Sequence, residues 1–132
     1  NDMAKLFAMS SDLIKHNIHI ILIQIDEAHS TAWPLSIDTI LKVDQPEPQK
    51  TFEDRLSRAN YFVNNYQPPY DIYIDSWDNQ FAEIFRAWPD KYHLIDQNMM
   101  IIAKSEYGME GEKEAVILED CTILLEKIMN KN

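Results

Sequence analysis

Glycine is nearly missing: the 132 residues include only two, Gly108 and Gly111. Phosphate-cradling loops need glycine where the backbone closes on the ligand. Both glycines fall in one late stretch with no Gly-Lys-Ser or Gly-Lys-Thr, so no nucleotide-binding loop is expected. Cysteine is scarcer still. Cys121 stands alone, which rules out an internal disulfide and fits a reducing intracellular compartment. Cations are in deficit, with 12 Lys and Arg against 22 Asp and Glu and a formal net charge of −10. That balance repels nucleic-acid phosphates and anionic lipid, so neither is an expected partner. No run reaches the roughly 18 apolar residues of a membrane span. No basic segment followed by an apolar one opens the chain as a signal peptide would. The first residue is Asn1 and not Met, so the chain reads as an excerpt of a longer product.

What is present is a core. The hydrophobic fraction is 45%, with three Trp, six Tyr and five Phe, which supports one packed domain over 1–132 and argues against disorder. The most apolar stretch is Ile18 to Ile25, Ile-His-Ile-Ile-Leu-Ile-Gln-Ile, followed at once by Asp26, Glu27, Ala28 and His29. A continuous β-branched run reads as a central strand buried on both faces. Polar groups at the carboxyl end of such a strand stand where open α/β sheets place ligands.

The other elements follow from periodicity and breakers. Met3 to Lys15 has apolar residues at helical spacing, with Asp2 able to cap it and Asn17 closing it. Ser30 to Pro48, with Pro34, Pro46 and Pro48, reads as an irregular excursion. Thr51 and Asp54 form a capping-box pattern before a helix whose apolar stripe is Phe52, Leu56, Ala59, Tyr61, Phe62 and Val63, stopped by Pro68 and Pro69. Tyr70 to Asp75 is a short strand. Asp78 or Asn79 caps a helix through Arg86. Lys91 to Asp96 and Met99 to Lys104 form a hairpin around Gln97-Asn98, and Ser105 to Gly111 is a loop. Glu112 to Met129 is the last helix, with Val116, Ile117, Cys121, Leu124, Leu125 and Ile128 inward. Alternating elements with a late hairpin and a terminal helix predict a three-layer α/β/α domain with a mixed central sheet.

Asp-Glu-Ala-His after an apolar strand is also a helicase ATPase pattern. That site needs a phosphate loop with its lysine, and this chain has none. A second resemblance covers most of the chain. Asp26-Glu27-Ala28-His29 with Trp33 soon after resembles the Glu-Glu-Ala-His strand end of iodothyronine deiodinases. Thr51-Phe52-Glu53-Asp54-Arg55-Leu56 is similar to that family's Ser-Leu-Glu-Asp-Arg helix start. Ile74 to Asn79 resembles its Asp-Ser/Thr-Met-x-Asn, and Trp88-Pro89-Asp90-Lys91-Tyr92 its Pro-Glu-Arg-Leu-Tyr before a hairpin strand.

The resemblance implies a thioredoxin-like fold whose first strand precedes this chain. It also implies reductive removal of iodine from thyroid hormones by a selenocysteine or cysteine at the start of the first helix. That nucleophile would lie just before Asn1. Two features depart from the pattern: Gln49 or a neighbour stands where a second histidine is expected, and Ser105-Glu106-Tyr107-Gly108 replaces a glycine-rich loop bearing arginine.

The candidate catalytic residues are Glu27 and His29, two positions apart and able to pair, with imidazole chemistry suited to a substrate phenol. Asp26 should point to the opposite face. Trp33 and Trp77 are candidates to wall a small aromatic substrate, with Trp88 a further possibility; core lids are the plainer reading of all three. Glu53, Arg55, Asp75 and Asn79 read as residues that shape turns and the helix start. Cys121 reads as a small core residue. Pro89 precedes a strand where thioredoxin folds carry a cis-proline. His16, His19, His29 and Asp26 could be drawn as a metal site, but their elements do not imply convergence, and no metal or cofactor is expected. The leading expectation is a thiol or selenol redox domain that reduces or dehalogenates a small aromatic substrate with a thiol reductant, inactive without its upstream nucleophile. The alternative is a redox-inactive thioredoxin-fold module of a larger protein. A homodimer is compatible with either.

Overall fold

The computed structural model describes residues 2–27, 46–88, 91–105 and 118–131. His29, Trp33, Pro89, most of the Ser30 to Pro48 excursion, the 106–111 loop and the first part of the predicted last helix lie outside these residues. The described chain is a mixed α/β arrangement: α1 (Asp2–Ala8), α2 (Ser10–Lys15), β1 (Ile21–Gln24), α3 (Phe52–Tyr66), β2 (Asp71–Ile74), α4 (Gln80–Phe85), β3 (His93–Ile95), β4 (Ile101–Lys104) and α5 (Leu118–Met129). Among the described residues none of these helices is long and apolar enough to cross a membrane. Two compact units emerge, one from Asn1–Leu22, Pro68–Asp71 and Asp90–Asn132, the other from Ile23–Gln67 and Ile72–Pro89.

In the first unit, the expected single N-terminal helix is dented at Met9. Its amide still donates to the Lys5 carbonyl at 3.1 Å, and Met9 becomes the N-cap of α2, its carbonyl accepting the amides of Asp12 and Leu13 at 3.0 Å each. Asn17 closes α2 as the sequence predicts, in the left-handed conformation at φ 57°. The Asn17 amide reaches Ile14 and the Ile18 amide reaches Leu13, both at 2.9 Å. This is a Schellman closure, and Ile18 packs back on the cluster that includes Leu13. That return explains why β1 begins at Ile21 and not at Ile18.

Leu6, Leu13 and Leu125 are the buried centre of this unit, with Met3, Met9, Ile18, Ile20, Tyr70, Cys121 and Met129 against them. The Tyr70 hydroxyl donates to the Leu6 carbonyl, and its ring meets Phe7 edge-on at 6.0 Å. Cys121 is half-buried on α5, as its place on the apolar stripe predicts, and burial raises its thiol pKa. Thr122, absent from the predicted inward set, is buried beside it.

The predicted hairpin is present. His93 pairs Lys104, Leu94 pairs Ala103 and Ile95 pairs Ile101, with a bulge after Leu94. Its turn is built by one side chain: Asp96 Oδ1 accepts the amides of Asn98 and Met100 at 2.8 and 2.9 Å. Those bonds, the Met100 amide foremost, lower the Asp96 pKa. Ser105 ties off the other end, its hydroxyl accepting the Tyr92 amide while its own amide donates to the Tyr92 carbonyl.

The expected mixed central sheet is not seen as one layer. Among the described residues the strands form two pairs, β1 with β2 and β3 with β4. Each strand is only three or four residues long, and β1 is shortened at its start by the Ile18 return.

In the second unit, α3 keeps the predicted boundaries and cap. The Thr51 hydroxyl accepts the Asp54 amide at 3.2 Å, and Asp54 Oδ2 accepts the amides of Lys50 and Thr51 at 2.8 and 2.9 Å. Gln67, left-handed, ends the helix before Pro68. Its orientation matches the expected one at Ala59 and Phe62 only. Arg55 and Ala59 are buried, whereas Phe52, Leu56, Tyr61 and Val63 are exposed. The inward stripe is therefore Arg55, Ala59 and the half-buried Phe62, one i, i+4, i+7 row.

The Asp54 bonds hold its carboxyl below the usual carboxylate value, the Lys50 amide contributing most. A depressed folded pKa stabilises above the unfolded pKa, about 3.9, and the effect is lost as pH falls through the folded value. Asp54→Asn should therefore flatten the acid limb of a stability-versus-pH curve followed by urea unfolding. Thr51→Ala should cost about 1 kcal/mol at neutral pH. An acid limb unchanged in Asp54→Asn would show that the box does not contribute.

Candidate functional site

Polar side chains of the second unit gather at the carboxyl ends of its strands, where an α/β sheet leaves backbone and side chains free for a ligand. The ladder ends as the Asp75 amide donates to the Gln24 carbonyl at 2.8 Å. Just beyond, Asp26 and Glu27 meet α3.

Arg55 is the hub. It is 1% exposed, and every nitrogen of its guanidinium has a partner. Nε donates to Gln49 Oε1 at 3.4 Å. Nη1 donates to the carbonyls of Asp75 and Ser76 at 3.2 and 2.7 Å. Nη2 donates to Asn79 Oδ1 at 2.8 Å and stands 3.6 Å from Asp26 Oδ1. The Trp77 ring covers the cation, its centroid 5.0 Å from Cζ. A buried charge is tolerated only with such complete pairing.

Glu27 engages other partners. Its Oε1 is 3.3 Å from Arg58 Nη1, and its Oε2 accepts from Gln49 Nε2 at 3.3 Å. Arg58 also donates to the Glu47 carbonyl at 3.2 Å. Gln49 thus links the Glu27 carboxylate to the Arg55 guanidinium. The expected opposite facing of Asp26 and Glu27 does not hold: both meet cations three residues apart on α3. Strand alternation fails here because the ladder stops at Gln24. The expected Glu27 and His29 pair lies partly outside the described residues, as does the Trp33 wall.

Asp75 and Asn79 shape the strand-to-helix turn as the sequence predicts, but with exchanged tasks. Asn79 is the N-cap residue of α4, left-handed, and its side chain caps nothing because Arg55 holds it. The nearly buried Asp75 carboxylate does the capping, accepting the amides of Phe81 and Ala82 at 2.9 Å each. A carboxylate at a helix N-terminus is favoured by both hydrogen bonding and the dipole. Trp77 is 44% exposed and Trp88 38%, so neither is a core lid. His16 and His19 are exposed, and among the described residues no group of three or more His, Cys, Asp and Glu could hold a metal ion.

Sequence reading missed Arg58, the Gln49 bridge and the burial of Arg55. One signal was available: Arg55 lies on one helical row with Ala59 and Phe62, two residues of the apolar stripe. The arrangement presents two carboxylates, each beside an arginine, and a half-exposed Trp77. Comparison of the chain with protein-family models, curated proteins and solved structures gives no match.

Arg55→Met should cost about 3 to 5 kcal/mol, because two carbonyls and a carboxylate lose their cation together. Arg55→Lys should recover only part, since an ammonium cannot serve the fork of acceptors. Urea unfolding followed by tryptophan emission checks both, and a loss below about 1 kcal/mol in Arg55→Met would remove Arg55 from the centre of the site.

Proposed function

We propose that this chain is a thioredoxin-like, deiodinase-like redox domain that reduces or dehalogenates a small aromatic substrate, with Glu27 and His29 assisting and Trp33 and Trp77 flanking the substrate. One observation carries the reading: three of the four motifs that resemble the deiodinases meet in one constellation. Asp26-Glu27, the Glu53-Asp54-Arg55 helix start and the Asp75 to Asn79 turn are joined through Arg55. The pairing of β1 with β2 brings two of them together, and Arg55 adds the third.

In the proposed reaction an aryl carbon–iodine bond becomes carbon–hydrogen. Iodine leaves as iodide, the proton comes from solvent through the site, and two electrons come from a thiol pair that ends as a disulfide. The nucleophile is a selenol or thiol placed before Asn1 in the longer product. Cys121 does not serve: it is half-buried among Leu125 and its neighbours, and burial disfavours its thiolate.

A second reading draws on the Gln49 contact. A side chain that does not titrate bridges Glu27 and Arg55, which suits a redox-inactive module kept for binding.

The experiment is alkylation of the native, full-length product under reducing conditions with intact-mass readout. The redox reading expects a fast-reacting thiol or selenol just before Asn1, with Cys121 modified only on unfolding. The 132-residue chain alone should release no iodide from an iodophenol with dithiothreitol. If Cys121 is the sole reactive group of the full-length product, the redox reading fails and the second stands.

A further inference from the structure

Arg58 has no part in the motifs that resemble the deiodinases, yet its Nη1 stands 3.3 Å from Oε1 of the candidate residue Glu27. The pair is sheltered, with side-chain exposures of 31% for Arg58 and 19% for Glu27, so water screens it less than a surface pair. Arg58 is itself held by the Glu47 carbonyl, which fixes the fork against the strand end. On the other carboxylate oxygen Gln49 donates, and Gln49 is fixed in turn by Arg55. Both oxygens of Glu27 therefore face N–H donors, an arrangement that suits the ionised carboxylate, which accepts only, and not the acid, which must donate once. Among the described residues Asp26, one residue back, and the Arg55 it faces also carry charge at this strand end.

We propose that Arg58 is a positioning residue, holding Glu27 charged and oriented so that Glu27 works in the site as a fixed anion and hydrogen-bond acceptor and not as a proton donor. This rests on the reading of the strand end as the working site, and it assigns the proton-donating step to a group other than Glu27. A fixed carboxylate beside the substrate would accept a hydrogen bond from a phenol or from an imidazole and so set its orientation and tautomer.

The test follows the Glu27 carboxyl by carbon-13 NMR during pH titration of the protein labelled at glutamate, with the signal assigned by Glu27→Gln. In the unmodified protein Glu27 should remain ionised through the usual glutamate range. Arg58→Gln and Arg58→Met should move its midpoint up by about one unit or more, and Arg58→Lys should restore most of the shift while circular dichroism stays unchanged. A midpoint that does not move in Arg58→Gln overturns the proposal. So does loss of the fold in all three variants, which would make Arg58 a structural residue only.

Iodide release by the full-length product is measured beside it with an iodophenol and dithiothreitol. No release from unmodified protein counts against the deiodinase-like reading while leaving the Glu27 titration to decide Arg58. Where release occurs, the acid limb of its pH profile should move with the Glu27 midpoint in Arg58→Gln; a lowered rate with an unmoved limb counts against positioning.

Discussion

The second unit is arranged around one buried cation. The Arg55 guanidinium has five N–H donors in a planar fork, and here the fork is matched by a side-chain amide, two backbone carbonyls, an asparagine oxygen and a carboxylate. Those acceptors belong to the segment before α3, the end of β2, the start of α4 and the turn after β1. Burying the charge is tolerable only while every donor is satisfied, so each contact fixes the position of a different piece of chain. Arg55 takes an inward place beside Ala59 while Leu56, Tyr61 and Val63 are exposed, a cost in apolar burial that the polar network must offset.

This constraint also marks how far the sequence was readable. Local chemistry was legible wherever a side chain acts on its own neighbours. The Thr51 and Asp54 box and the Asn17 closure each use residues within a few positions, and residue type alone dictates them. The face of α3 was legible only in part: Ala59 and Phe62 turn inward as read, but the inward place of Arg55 beside them depends on acceptors about twenty residues away at Asp75 and Ser76. The α4 cap was misread for the same reason. Asn79 sits in the right place to cap, but a distant arginine takes its oxygen, and Asp75 replaces it from the preceding strand. Periodicity reports which elements form, and long-range polar partners decide which way they turn.

The same partners change what the acidic composition implies. A net charge of −10 suggests a site that repels anions. At the strand end, however, Asp26 faces Arg55 and Glu27 faces Arg58, so the two carboxylates there are locally neutralised. Unpaired carboxylates would repel an anionic group. Paired ones leave a nearly neutral patch that can still accept directed hydrogen bonds. The Trp77 face over Arg55 adds an aromatic surface whose orientation is fixed from behind by the cation.

Division of labour between the units follows from where sulfur and charge are placed. Cys121 is sheltered in the first unit among Leu6, Leu13 and Leu125, and burial disfavours its thiolate, so it behaves as a small apolar residue. Charge and orientation are concentrated in the second unit, in side chains that hold one another. A nucleophile needs a depressed pKa and access, and the carboxylates that assist it need the opposite, a fixed ionised state in a shielded place. Glu27, with N–H donors on both oxygens, meets the second requirement. The second unit thus holds two oriented anions beside the Trp77 ring.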